Sequence, residues 1–250
     1  MAEAAVRRMP GGGSRADAAS RLELARGVLR GLEDRAAGIR PVGGPAADGR
    51  VLPVAGPLAR LLPAGGLRRG SSVAVVGGPG ATSLLLALVA EASAEGAWVG
   101  VVGRPELGLV AAAEAGVRLD RLALVPRPGR DLLAVTVALL DGMDVVAVAG
   151  GGVRAADRQR LAARARQRGA VLLALGPWPG ADVELSCADA QWQGLEGGSG
   201  RLCARRVRVE LRGKGLGPGR GGRLLLPSRG GGPGGAPEVV VPEPAAVVAG

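Results

Sequence analysis

From Ser72 to Leu175 short, wholly apolar runs alternate with helical stretches, and few folds accept that rhythm. "SVAVV" (Ser72–Val76) reads as a strand, followed by a glycine-rich turn and the helical "TSLLLALVAEASAEG", ended by Gly96. Ala97–Val102 is a strand, and "PELGLVAAAEAG" a helix with Pro105 in its first turn. Leu122–Pro126 is a strand, and "DLLAVTVALLDG" a helix capped by Asp131. Asp144–Ala149 is a strand, "VRAADRQRLAARARQRG" a helix, and Ala170–Leu175 a strand. Strands apolar along their whole length must be covered on both faces. Helices between them supply the cover and the crossovers of a mostly parallel sheet. The class is therefore α/β.

After Leu175 the rhythm breaks. "DVELSC", "QWQGL" and "LCARRVRVEL" follow with no helix between them and read as antiparallel strands extending the sheet. In the last, Leu202, Ala204, Val207 and Val209 alternate with arginines, with a slip at Arg205–Arg206 that fits a bulge.

The flanks differ in composition. Residues 1–49 form a flexible N-terminus that carries one amphipathic helix over 20–37 and a Gly/Pro linker. In that helix Leu22, Ala25, Leu29 and Leu32 share one side, and Ser20 with Glu23 makes a capping box. Two readings stand open for it: packing on its own domain, or an arm docking on a neighbouring protein. The core spans 50–212, and from Gly213 to Gly250 the Gly/Pro/Arg-rich chain reads as disordered. With no Phe or Tyr and three Trp, the core must be filled by Ala, Val and Leu.

Composition also narrows the chemistry. The absence of His removes the commonest general base and metal ligand, and with them any Ser-His or Cys-His nucleophile pair. Cys187 and Cys203 cannot build a zinc site without it and read as two reduced thiols, with a disulfide between them as the alternative. No metal site is expected. No apolar run stands behind the N-terminal basic residues, and none approaches the roughly 20 residues that span a bilayer. The chain is read as soluble and cytoplasmic, without a membrane partner. Net charge is +10, and most of it sits between Arg201 and Arg229, where nine basic residues face Glu210 alone. Such an end suits nucleic acid or an acidic partner, or serves as a solubilising tail.

The turn in "VAVVGGPGATSLLLAL" (Val73–Leu88) stands where a phosphate-binding loop would. A P-loop is G-x-x-x-x-G-K-[ST], with a lysine for the phosphates and a hydroxyl for Mg²⁺. With Gly80-Ala81-Thr82 set on G-K-T, the first glycine falls on Val75. With Gly77 set first, the G-K-T positions hold Thr82, Ser83 and Leu84. In both registers the lysine is lost, and the chain's single lysine is Lys214. Gly77, Gly78, Gly80, Thr82 and Ser83 thus form a degenerate loop at a helix N-terminus, where Thr82 and Ser83 can cap. Weak anion binding is what it supports. No cofactor is expected, with ATP as the alternative.

These stretches resemble the RecA superfamily. "GLRRGSSVAVVGG" is similar to the approach to the RecA P-loop, "AGVRLDRLALVP" to the segment after the second helix, and "LLDGMDVVAVAG" to the Walker B region. "LAARARQRGAVLLALG" is similar to the next helix and strand. "LLPAGGLRRGSSVAVVG", the run around Trp98 and "WQGLEGGSGRL" resemble short, divergent ImuA-like proteins, over about Val51–Leu211. SulA-like cell-division inhibitors share the degenerate core. The resemblance implies a RecA-like fold and shows which ATPase groups are missing. Ala149 stands for the Walker B aspartate, and Asp144 lies at the wrong end of that strand. Gly103-Arg104-Pro105 stands where the water-activating glutamate belongs, with Glu106 displaced, and Gly176-Pro177 replaces the γ-phosphate-sensing glutamine.

With catalysis stripped, contacts carry the function. The candidate surfaces are the N-terminal helix, the arginine-rich helix from Val153 to Arg168, and Arg205, Arg206, Arg208 and Arg212 with the chain beyond. "PEVVVPEP" could add a strand to a partner's sheet. The resemblance implies a non-catalytic accessory protein of mutagenic translesion synthesis in the SOS response to DNA damage. It would bind an ImuB-like Y-family polymerase homologue and an error-prone replicative polymerase, with DNA held non-specifically. The alternatives are a DNA-dependent ATPase with an atypical loop and a SulA-like division inhibitor.

Overall fold

The structure, a computed structural model, describes residues 49–196, 199–214, 216, 220–226 and 238–239. The helix expected over 20–37, with Leu22, Ala25, Leu29 and Leu32, lies outside the described residues. A small antiparallel pair, β1 (Val51–Leu52) and β2 (Leu67–Arg68), brackets α1 (Gly56–Leu61). The alternating region follows as β3 (Ser72–Gly77), α2 (Ala81–Ala94), β4 (Val99–Val102), α3 (Leu109–Glu114), β5 (Leu122–Val125), α4 (Leu132–Gly142), β6 (Val145–Ala149), α5 (Ala155–Arg168) and β7 (Val171–Leu175). Then come β8 (Val183–Glu196), β9 (Ser199–Gly213), β10 (Gly221–Leu225) and β11 (Glu238–Val239).

One nine-stranded sheet results, in the order β11-β10-β9-β8-β3-β7-β6-β4-β5. From β8 to β5 every neighbouring pair is parallel, whereas β9, β10 and β11 pair antiparallel. This is the expected α/β class, consistent with a RecA-like core. Strand alternation divides the apolar side chains between two layers. Val73, Val75, Val99, Val101, Val145 and Ala147 join the cluster built on Leu84, Leu85 and Leu88 of α2. The opposite positions, among them Val146, Val148, Leu172 and Ala174, are buried on the other face, where α4 and α5 bring Leu139, Leu161 and Ala165 and the residue after α4 brings Met143. Both faces are thus covered, as strands without polar residues require. Among the described residues no helix is long and apolar enough to cross a membrane.

Several boundaries differ from the sequence reading. Pro105 is not in the first turn of a helix but in a turn before α3, which starts only after Gly108. Proline and glycine three residues apart keep that stretch out of the helix. Asp131 holds the N-cap position of α4 without a side-chain capping bond, because a 3-10 turn over Gly129–Asp131 leads into the helix. α5 ends where expected, at Gly169 in the left-handed region (φ 68°).

The C-terminal extension departs further. "DVELSC" and "QWQGL" form a single strand, β8, bent at Asp189 (φ 51°). Its first half is parallel to β3, not antiparallel. No helix is needed for that crossover. Residues 176–182 return the chain along a five-residue strand, a distance that an extended segment of about 25 Å covers. Nor is there a bulge at Arg205–Arg206, since Gln191 pairs with Arg206 and Trp192 with Arg205 in unbroken register. The shifts fall between Ala188 and Gln191 and between Gln193 and Leu195. Ala204 and Val207 are both buried because they lie on opposite faces, each covered. Finally, the stretch after Gly213 is not all a disordered tail. β10 pairs with β9 and buries Leu224, Leu225 and Leu226, an apolar triplet hidden within a Gly/Arg-rich composition. β11, within "PEVVVPEP", pairs with β10 of its own chain.

Candidate functional site: the strand–turn–helix junction

The glycine turn connects β3 to α2. Gly77 and Gly80 have φ of 110° and 111°, a region L side chains rarely enter. Close packing adds a second demand for glycine. A Cβ on Gly77 would collide with the Cys187 carbonyl oxygen of β8, and one on Gly80 would stand 3.1 Å from Val207 of β9. Gly77 and Gly78 are exposed and Gly80 is buried. Gly80 is the N-cap of α2, so Thr82 and Ser83 sit inside the first turn and make no capping bond, contrary to expectation.

The Thr82 hydroxyl has another partner. Its Oγ1 accepts from Nη2 of Arg104 at 3.1 Å. Arg104 follows β4, and its Nε lies 2.9 Å from the Glu106 carboxylate. In the register that places Thr82 at the metal-holding position, a guanidinium therefore occupies the ground a Mg²⁺ ion would need. Ala81 stands at the lysine position and Ala149 closes β6. Beyond β6, Trp178 is buried, and its ring lies 3.4 Å from where a Gly150 Cβ would be. These residues do not fit a magnesium–triphosphate complex: a guanidinium stands beside Thr82, and methyl groups hold the lysine and Walker B aspartate positions. Among the described residues no group of three or more Cys, Asp or Glu could hold a metal ion.

Asp144 sits at the opposite end of β6, as the sequence implied, and its role there is structural. Oδ2 accepts from the Trp98 backbone N–H at 2.9 Å, and Oδ1 pairs with Arg69 at 2.8 Å. The guanidinium of Arg121 lies over the Trp98 ring, 5.0 Å from its centroid.

The four arginines of β9 do not form one group. Arg206, Arg208 and Arg212 share a sheet face by alternation, and Arg223 of β10 pairs opposite Arg208. Arg205 points to the other face, where it stacks on Trp192 at 4.0 Å from the ring centroid. Acidic neighbours offset part of the first group. Arg208 pairs with Asp189 at 2.9 Å and with Glu210 at 3.4 Å, and Arg212 lies 3.7 Å from Glu210. The arginines of α5 are likewise divided. Arg164 and Arg168 clasp Asp141 of α4 and hold its carboxyl below the usual range, chiefly through the Arg164 hydrogen bonds. Arg160 and Arg166 have no ion pair among the described residues. Cys187 is a free, buried thiol, and burial raises it to about 11. The side chain of Cys203 lies outside the described residues.

Two features escaped the sequence reading. Arg104 was visible only as an absent glutamate, although an arginine one residue beyond a strand-end glycine was the available signal. The pairing of Arg68 and Arg69 with Arg166 and Lys214 in one cleft joins residues about 100 and 145 positions apart, and no local pattern carries that.

Fold and junction together define a class: an α/β protein with a RecA-like core whose strand–turn–helix junction lacks P-loop side chains. Comparison with known proteins narrows it. Residues 60–180 match the family described as the MT3502 N-terminal domain. Uncharacterized protein Rv3395c of Mycobacterium tuberculosis (strain ATCC 25618 / H37Rv) is 39% identical over 194 residues, 75% of this chain and 83% of that relative. The chain belongs to the MT3502 N-terminal domain family. The matched segment runs from α1 into the β7–β8 connection, so it holds the glycine turn and Arg104 but not the β8–β10 extension.

Proposed function

We propose that this chain is an ImuA-like, non-catalytic RecA-like accessory protein acting in DNA damage tolerance. It joins an ImuB-like Y-family polymerase homologue to an error-prone replicative polymerase, and its basic β9–β10 face contacts DNA without sequence preference. The observation that carries the non-catalytic reading is the bond from Arg104 to Thr82, which sets a fixed positive charge at the position of the metal. The split arginines support only a loose electrostatic contact, because Trp192 stacks on Arg205 and faces away from Arg206, Arg208 and Arg212.

Co-purification of the full chain with the ImuB-like protein is the direct test. A second form lacking 227–250 keeps β10 in place and asks whether the end of the chain is needed. Stable association of either form supports the proposal, and its absence in both refutes it. Calorimetric titration with ATP and Mg²⁺ supplies the other arm: saturable, Mg²⁺-dependent binding would restore the ATPase alternative.

A further inference from the structure

At the N-terminal edge of the parallel sheet, the end away from the glycine turn, the surface opens into a cleft of about 350 Å³. Four basic residues line it, Arg68, Arg69, Arg166 and Lys214, against Asp182 as the single acidic one. They come from three separate parts of the chain: the end of β2 with the turn after it, the last turn of α5 and the residue that follows β9. Arg69 is engaged by Asp144 at 2.8 Å. Arg68, Arg166 and Lys214 have no ion pair among the described residues. Cations that converge on a concavity focus its positive potential more than the same charges on a flat face.

The cleft is built rather than incidental. The turn Arg68-Arg69-Gly70-Ser71 is pinned by Ser71 N–H to the Arg68 carbonyl at 3.2 Å, by the Ser71 hydroxyl to the same oxygen at 2.6 Å, and by Gly70 N–H to the Ala170 carbonyl at 3.0 Å. Gly70 has φ of 77°, and a Cβ there would stand 3.3 Å from Cα of Arg166, so glycine lets the turn lie against α5. Both bonds that the Asp182 carboxylate accepts among the described residues, from the Ser72 N–H at 2.8 Å and the Ser72 hydroxyl at 2.9 Å, fall on Oδ2, which leaves Oδ1 for a hydroxyl donor. Buried Leu67 and Val73 supply an apolar part of the lining. The volume lies at the lower end of the range of small-molecule sites.

We propose that this cleft is a binding site for a small phosphate-bearing ligand of about mononucleotide size, with Arg68, Arg166 and Lys214 on the anion and Asp182 on a hydroxyl of the same molecule. Its enclosure, its mixed lining and its acidic acceptor favour a compact ligand over a phosphodiester backbone, which would be read by a row of cations on an open face. The assignment does not depend on the damage-tolerance reading.

Lys214 makes the test specific, because it is the chain's only lysine. Pyridoxal 5′-phosphate carries an aldehyde and a phosphate. It forms an imine with the lysine amine, releasing water, and added borohydride reduces that imine to a stable secondary amine. Peptide mass spectrometry of the full chain then reads Lys214 against the N-terminal amine as an internal control. The expected result is labelling of Lys214 about tenfold faster with pyridoxal phosphate than with pyridoxal, suppressed by inorganic pyrophosphate and by a mononucleotide. Arg68→Ala and Arg166→Ala, both at exposed positions, remove that advantage while leaving the pyridoxal rate and the thermal unfolding transition unchanged. Equal rates for the two probes, or an advantage that survives both substitutions, would overturn the proposal. Protection by a single-stranded oligonucleotide but not by pyrophosphate would overturn the small-ligand assignment.

Discussion

The two ends of one parallel sheet have been treated in opposite ways. Open α/β sheets bind ligands at the carboxyl ends of their strands, where turns lead into helix N-termini. Here that end is filled from within: β8 and β9 press on Gly77 and Gly80, Trp178 is buried near Gly150, and Arg104 spends its charge on Thr82 and Glu106. At the amino end Asp144 neutralises one arginine, and three other cations face a cleft without partners among the described residues. A family fold locates the likeness of a site, whereas unpaired charge and open volume locate the capacity to bind.

The largest effect is expected at the carboxyl end. Gly77→Ala places a methyl group against the Cys187 carbonyl in a backbone region alanine rarely adopts. Strain and overpacking together should cost about 3 kcal/mol, read as a lowered urea midpoint. A loss below about 1 kcal/mol would mean that the glycines serve something other than strand packing.

Cys187 gives the next test at the same end. Burial raises its thiol to about 11 in the folded chain, so the unfolded thiol ionises first as pH rises. The stabilising contribution is complete below the unfolded value near 9 and is lost as pH climbs through about 11. Unfolding free energy should fall across that window by on the order of 2 kcal/mol, and Cys187→Ala should flatten the fall. A wild-type profile that Cys187→Ala leaves unchanged would show that the thiol is not desolvated.

The opposed ends were unequally legible in the sequence. Apolar runs and their helices fix the parallel core because periodicity and burial are local consequences of composition, and Ser72–Leu175 divides into strands nearly as expected. The glycine turn was legible as a loop without its lysine, but not as a seat for β8 and β9, whose contacts come from more than 100 positions away. β10 was hidden because Leu224, Leu225 and Leu226 are a short apolar island among Gly and Arg. The face on which each arginine of β9 falls depended on where the register shifts lie, and Asp189, not Arg205, takes the bend.

At the amino end, Asp144→Asn separates packing from charge. Asparagine keeps an acceptor for the Trp98 N–H but releases Arg69. Stability should drop by about 1 kcal/mol. Pyridoxal phosphate should then label Lys214 a few-fold faster, since a fourth cation is freed toward the cleft. Faster labelling with lower stability would sharpen the contrast between the ends, and slower labelling would break it.

The smallest effect belongs to the helix whose last turn reaches the cleft. Asp141 takes Arg164 and Arg168, while Arg166, between them in sequence, lines the cleft. The Asp141 carboxyl is held low first by its hydrogen bonds to Arg164, so its contribution is present above the ordinary carboxylate value and fades as pH falls through the depressed one. The two side chains are 27% and 34% exposed, and solvent screening limits Asp141→Asn to about 0.5 kcal/mol at neutral pH. That loss should shrink further in molar salt. The Lys214 labelling advantage should survive the substitution. If it disappears, the ion pair is what aims Arg166 into the cleft, and the division of α5 into a tethered side and an open side gives way to a single coupled unit.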